Sequence, residues 1–368
     1  MRIAMDYQIF CLQTYGGISR YFVRLAEQLS LDSKSVKVFS PLHCNEYLEG
    51  LDPSLVEGRR IAKTSSKGMR LTLPYNEFVA RNKISAWQPD VEHETYYSLF
   101  NRAPRKHPVV ITVYDMVHEL FPNEFSRVGN LSARKLKAVQ RADHVICISE
   151  STRRDLVEMF DIDISKVSVV HLGFDKFSSF ALQENTKSKR ERPYLLFVGN
   201  RSGYKNFSGF LKAFSISVRL KTDFDIVSFG GGAFSPEEKN IISGLGLAPS
   251  QVTQVSGGDE KLGELYREAA IFVYPSLYEG FGLPPLEAMA NDCPVALSNT
   301  SSMPEVVGDA GAYFDPSSVE DMSLVIENLA FSSSLKQELV GKGRERLEVF
   351  SWHNCARDTL AVYEKMKR

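Results

Sequence analysis

Tyr274-Pro275-Ser276-Leu277-Tyr278-Glu279-Gly280-Phe281-Gly282-Leu283-Pro284-Pro285-Leu286-Glu287-Ala288-Met289-Ala290 is the stretch on which the reading of this chain turns. It opens as IFVY (271–274) ends, a β-branched and aromatic run that predicts a buried strand. Two glycines then make a turn, and Pro284 or Pro285 suits the first position of a helix, where a missing N–H costs nothing. A helix starting here leaves the amides of Phe281, Gly282 and Leu283 pointing outward, and free amides at the positive end of a helix dipole favour a phosphate. Glu279 falls in the loop and Glu287 is expected in the first helical turn. That spacing suits a ligand with hydroxyls at both ends, such as a nucleotide-sugar, with one carboxylate toward the sugar and one toward the ribose. A helix start with favourable acidic charge is the plainer alternative.

Outward from this stretch the same strand–helix alternation fills the chain. Strands are expected at Met1–Met5, Val36–Phe39, Val109–Val113, Val145–Ile148 and Val167–Val170. A second series follows at Tyr194–Val198, Phe224–Phe229, Val252–Val255, Ile271–Tyr274 and Pro294–Leu297. Continuous apolar runs, rather than apolar/polar alternation, indicate parallel strands buried on both faces. Between them lie helical patterns, such as Ser19 to Leu29 with apolar residues at 21, 22, 25, 26 and 29. Residues 176–192 are polar, charged and without apolar periodicity, as in a linker. The fold class is therefore α/β: a Rossmann-like domain at 1–175, a linker, and a second doubly wound domain at 193–351. The helix at about 352–368 is expected to return to the first domain. In such sheets ligands bind beyond the carboxyl ends of the strands, so a cleft between facing domains is the expected site.

Composition narrows the partners. Lys plus Arg total 44 against 45 Asp plus Glu, a net charge of −1 over 368 residues, which argues against a dedicated nucleic-acid binder. The five cysteines are scattered, with no CxxC pair, so a disulfide scaffold is unlikely and a reducing compartment fits. MRIAMDYQIF does not read as a signal peptide, and no run reaches the eighteen or so apolar residues of a spanning helix. The expectation is a cytoplasmic protein.

Three further segments carry chemistry. GNRSGYKN (199–206) follows the YLLFV strand, and Arg201 and Lys205 before a helix suit a diphosphate. YGGI (15–18) lets the backbone approach a phosphate or sugar at Gly17. It is not GxGxxG, so a nicotinamide site is poorly supported. VYDMVHE (113–119) puts Asp115 and His118 at a strand's carboxyl end, where His118 can donate to a substrate oxygen. The DxD matches Asp161/Asp163 and Asp223/Asp225 read as chance, and no metal is expected. Positive charges at Arg134, Lys135, Lys137 and Arg141 on a helix over 131–141 read first as a solvated face, with a peripheral contact with anionic lipid as the alternative.

In this order, across two βα arrays, these segments resemble the retaining GT-B glycosyltransferases of family 4. The resemblance covers nearly the whole chain. Its most specific piece is PSLYEGFGLPPLEAMANDCPV (275–295), which looks like the family's E-x7-E segment. ADHVICISESTRRDL (142–156), VVHLGFD (169–175), YLLFVGNRSGYKN (194–206) and SSMPEVVGDAGAYFDP (301–316) match in order. The resemblance implies transfer of a hexose, with mannose the first expectation, from a nucleotide-diphosphate sugar to a glycan or lipid-linked acceptor in surface polysaccharide synthesis. It implies no cofactor. Glu279 would contact the donor sugar and Glu287 the ribose. Lys205, with the amides of Phe281, Gly282 and Leu283, would bind the diphosphate, approached by Gly17, and His118 and Asp115 would sit near the sugar. Two positions depart from the pattern: Asn200, not Arg, follows Gly199, with Arg201 one place on, and the family's His-Asp pair reads Tyr114-Asp115. A sugar-nucleotide epimerase on the same fold and an inactive nucleotide-sugar-binding subunit are the alternatives.

Overall fold

The computed structural model describes residues 1–32, 34–62, 66–100, 105–125, 130–175, 192–201 and 203–367. The chain divides into two compact units, Met1–Gly173 with Phe350–Arg368, and Phe174–Val349. The stretch read as a linker lies outside the described residues apart from Arg192. That side chain donates to the carbonyls of Lys221 and Phe224 at 2.8 and 3.1 Å, so it is part of the second unit.

The sheet of the first unit holds β1 (Arg2–Met5), β2 (Ser35–Val38), β3 (Val91–Glu94), β4 (Val109–Val113), β5 (His144–Cys147) and β6 (Val167–Val169). All pair in parallel in the order β2-β1-β3-β4-β5-β6, with Ile3 opposite Val91 and Ile111 opposite Val145. Every residue of β3, β4 and β5 is buried, which explains the apolar runs of β4 and β5. The helix Gly17–Leu31 covers the sheet through Tyr21, Phe22, Leu25, Ala26 and Leu29, the face that the sequence spacing marks.

β3 is the strand that the sequence hides. Its residues Val-Glu-His-Glu look polar, yet Glu92 and His93 are wholly buried. Each polar group is matched: Glu92 accepts from Arg105 at 2.9 Å and meets His107 Nε2 at 2.8 Å, while Arg141 pairs with Glu94. His93 Nδ1 lies 2.6 Å from the Tyr363 hydroxyl and Nε2 2.9 Å from Thr112 Oγ1. Burial drives the His93 pKa down to about 3, so it sits there as a neutral ring.

Tyr363 belongs to the helix Trp352–Met366, which packs on Gly17–Leu31 and is part of the first unit. Its start presses on Gly173, where a Cβ would lie 2.4 Å from the Trp352 nitrogen. Only glycine fits there.

The second unit repeats the plan with β7 (Tyr194–Val198), β8 (Asp225–Phe229), β9 (Val252–Val255), β10 (Ile271–Tyr274), β11 (Val295–Ser298) and β12 (Gly311–Phe314). The order is β9-β8-β7-β10-β11-β12, all parallel. β12, GAYF, has no counterpart among the expected strands. The core gathers Leu195, Phe197, Phe207, Phe210, Phe214, Ile226, Ile271 and Val273. Each such side chain contributes roughly 1.5–3 kcal/mol on burial. The order of strand addition reverses between β7 and β10, so the loops leaving these neighbouring parallel strands run to opposite faces of the sheet, which is where such folds have a crevice at the carboxyl ends.

Candidate functional site

That crevice holds the decisive residues of the sequence reading. Lys205 ends the short turn Gly203–Lys205 after β7, and Glu279 lies in the loop after β10. Lys205 Nζ donates to Glu279 Oε1 at 2.6 Å, the two side chains being 17% and 11% exposed. The ammonium also lies 5.2 and 5.6 Å from the ring centres of Tyr204 and Tyr274. Burial pushes the Tyr274 hydroxyl well above its ordinary range, and the Glu279 charge adds to that. The result is a cation held at the mouth of a helix and a carboxylate beside it, both reachable from solvent.

The Glu279 loop is pinned by its neighbours. Leu277 N–H donates to the Tyr204 carbonyl at 2.7 Å, and Glu279 N–H to Ser301 Oγ at 3.0 Å. The fully buried Ser302 hydroxyl reaches the carbonyls of both Glu279 and Phe281 at 2.8 Å. Tyr204, Ser301 and Ser302 are residues that the sequence reading missed. Their signal was membership of the matching segments 194–206 and 301–316, which marks no single residue in them.

Gly282 has φ +109°, and a Cβ there would come 2.5 Å from Met303 Cε, so both backbone and space call for glycine. The helix begins at Leu283 and runs to Ala290, which puts Pro284 and Pro285 second and third, not first. Two of the helix-start donors are thereby absent. The amides of Gly282 and Leu283 have no acceptor among the described residues, as an anion site requires. Glu287 sits in the second turn rather than the first, because the helix starts ahead of the prolines. Its carboxylate takes a 3.4 Å hydrogen bond from the Tyr266 hydroxyl.

Arg201 departs from expectation. Its side chain, 3% exposed, turns away to Glu238, donating from Nε at 2.6 Å, and to the carbonyls of Gly230 and Gly232 at 2.8 and 3.0 Å. The guanidinium also stacks over Phe234 at 4.7 Å. With these donors committed, it props the Gly230-Gly231-Gly232 loop instead of meeting a diphosphate.

In the first unit Asp115 and His118 follow β4. Asp115 Oδ1 accepts from Val117 N–H at 3.1 Å. His118 packs on Phe125, its Nδ1 is buried without a partner in the structure, and burial lowers its pKa against the opposing pull of Asp115. Beneath them lies Lys135, 1% exposed, donating to the Asp115 carbonyl at 2.8 Å and to Glu119 Oε2 at 2.6 Å. Arg134 donates to the Tyr97 carbonyl and Arg141 to Glu94. Three of the four cations that suggested a lipid-facing helix at 131–141 therefore point into the protein, and that expectation is corrected. Gly17 is the first residue of its helix, with open space where a Cβ would be.

The DxD residues have local jobs: Asp161 ends a helix at φ +50°, and Asp163 accepts from Ser165 N–H at 2.9 Å. Among the described residues no three His, Cys, Asp or Glu side chains group as metal ligands, and no helix is long and apolar enough to cross a membrane.

Residues 15–176 match the model of Glycosyltransferase Family 4, and residues 178–346 that of Glycosyl transferases group 1. The chain belongs to the family 4 glycosyltransferases. This glycosyltransferase is 25% identical to the O-antigen chain mannosyltransferase B of Escherichia coli, over 95% of its own length and 96% of that protein's. It is 31% identical over 68% of its length to a serotype-specific mannosyltransferase of Escherichia coli, of which it spans 33%. Among solved structures it superposes on an Anabaena protein in complex with UDP and glucose, with a TM-score of 0.72 at 15% identity over 99% of each chain. Its two doubly wound units are those of the GT-B fold.

Proposed function

We propose that this glycosyltransferase is a retaining enzyme that moves mannose from a nucleotide-diphosphate sugar to a glycan or lipid-linked acceptor, in the synthesis of a surface polysaccharide on the cytoplasmic side of the membrane. The observation that carries the reading is the Lys205–Glu279 pair at 2.6 Å beside the unpaired amides of Gly282 and Leu283. The mannosyltransferase relatives support the choice of sugar.

A nucleoside diphosphate leaves as an anion. Lys205 and the two amides would stabilise the charge growing on its phosphates, without moving during the reaction. Donor binding would divert Lys205 toward phosphate and free Glu279 to accept from sugar hydroxyls, holding the anomeric carbon in place. The departing phosphate oxygen can take the acceptor's proton on the face it leaves, so no second carboxylate is required opposite. Glu287, braced by Tyr266, would hold the ribose hydroxyls. In the first unit, a neutral His118 would accept from or donate to the transferred sugar, with Asp115 fixing the turn in front of it. No metal or organic cofactor takes part in this reading.

Alanine at Glu279 or at Lys205 is expected to lower transfer by about a hundredfold or more, the usual cost of losing a preorganised charge partner. Full activity in both variants would overturn these roles. The donor is read by thermal shift with UDP-, GDP-, ADP- and dTDP-sugars, where a ligand of the native state raises its stability by RT ln(1 + [L]/Kd). GDP-mannose should give the largest shift, and a larger one with another donor would replace mannose.

A further inference from the structure

Among the described residues seven serines stand directly ahead of a helix, and six of them accept from an amide of that helix: Ser149, Ser217, Ser235, Ser318, Ser332 and Ser351. Ser302, ahead of the helix Met303–Val307, is the exception. Its hydroxyl gives that helix no cap and turns instead to the loop after β10, 2.8 Å from both the Glu279 and the Phe281 carbonyl. The residue is wholly buried there.

Ser302 is the last of a row. Ser298 Oγ lies 3.4 Å from the Tyr274 carbonyl, Thr300 Oγ1 donates to the Leu277 carbonyl at 3.1 Å, and Ser301 Oγ accepts from the Glu279 amide at 3.0 Å. β10 and β11 are paired as far as Tyr274 and Leu297. Past that point side-chain hydroxyls replace the sheet ladder and bind the loop after β10 to the turn after β11. Ser301 has φ +53°, a left-handed conformation that serine seldom adopts. A forgone cap and a strained serine both cost stability, and strain kept at such a place points to a task outside the turn itself.

The peptide plane shows what the task is. The carbonyl of one residue and the amide of the next belong to one trans unit and point in opposite directions. Fixing the Phe281 carbonyl on Ser302 therefore turns the Gly282 amide to the far side of the loop. Glycine at 282 would let this plane turn over, and the buried hydroxyl holds it one way round. The Gly282 amide is one of the two helix-start amides with no acceptor among the described residues.

The geometry points to Ser302 as a positioning residue for the donor, a lock on the Phe281–Gly282 peptide that keeps the Gly282 amide aimed at the diphosphate. This rests on the donor site proposed above and adds to it the part that keeps the amide in place before the ligand arrives.

Calorimetry on the full chain with GDP, UDP, ADP and dTDP gives the diphosphate that the native protein binds most tightly; that diphosphate and its nucleoside are then measured on the variants. Ser302→Ala removes no helix cap, because the hydroxyl makes none. It should lose at least about tenfold in diphosphate affinity and keep its affinity for the nucleoside, which has no phosphate to meet the amide. Ser302→Cys, close in volume and only a weak donor, is the second variant, and its ratio of diphosphate to nucleoside affinity should fall as well. An unchanged ratio in both variants would overturn the lock, whether both affinities held or both dropped together. Lys205→Ala separates this inference from the site it rests on. Diphosphate affinity lost in Lys205→Ala and kept in both Ser302 variants sinks the lock alone. Affinity kept in Lys205→Ala takes the diphosphate away from this site, and the lock goes with it.

Discussion

Lys205 and Arg201 stand four residues apart in one loop and end in opposite roles. Both are cations after a buried strand, so charge and spacing alone mark both as phosphate ligands. What separates them is the number of local acceptors within reach. Arg201 finds four loop carbonyls and Glu238, a set that its planar fork satisfies with several hydrogen bonds at once, whereas Lys205 meets a single carboxylate. The loop it holds has φ of +89°, +67° and +70° at Gly230, Gly231 and Gly232, a run of left-handed backbone that is also tied at Gly230 to the Val255 carbonyl. Arg201→Ala should cost about 3 kcal/mol in urea-unfolding free energy by leaving Glu238 and the carbonyls without their donor. Arg201→Lys should recover only a minor part, because an ammonium cannot span the set. A variant of native stability whose nucleotide affinity alone had dropped would return Arg201 to the diphosphate.

Elements were legible wherever burial and composition agreed. YLLFV, VVITV and IFVY announce strands because a parallel strand covered on both faces favours apolar residues throughout, and ten of the twelve sheet strands fall where the sequence places one. β3 was not legible: its Glu92, His93 and Glu94 are buried with partners from residues 105, 107, 112, 141 and 363, and no local pattern shows those partners. The E-x7-E segment exposed most of the second unit's site, but not the serines that pin it, since a serine's hydrogen bond leaves no mark on spacing. The helix Leu131–Arg141 misled for a related reason: four cations on eleven residues look like a solvated face until their acceptors are seen. Lys135→Met should remove the partner of the 3% exposed Glu119 and destabilise the protein by about 3–5 kcal/mol. Adding Glu119→Leu should restore most of the loss in the same denaturation series. If the double variant were as unstable as the single one, the pair would be more than mutual compensation.

The molecule as a whole carries its acid sensitivity inside. The folded-state pKa of His93, about 3, lies below the ordinary 6.5, so between those values the unfolded chain binds a proton that the native state refuses. Stability from this group is complete above about pH 6.5 and falls as pH drops, by about 1.4 kcal/mol per unit. Urea unfolding at pH 7, 6 and 5 should show His93→Gln with a shallower pH slope by about one proton, and equal slopes would mean that the ring is protonated in the native state. The Tyr363 hydroxyl that caps this histidine comes from 270 residues further along the chain. One unit is therefore a single uninterrupted stretch of polypeptide, and the other is assembled from both ends with that stretch inserted between them. During synthesis the inserted unit has all its strands before the outer one has its closing helix. The helix that covers Gly173 and His93 is made after every strand of both units, so the inserted unit is free to complete itself before the outer one is closed.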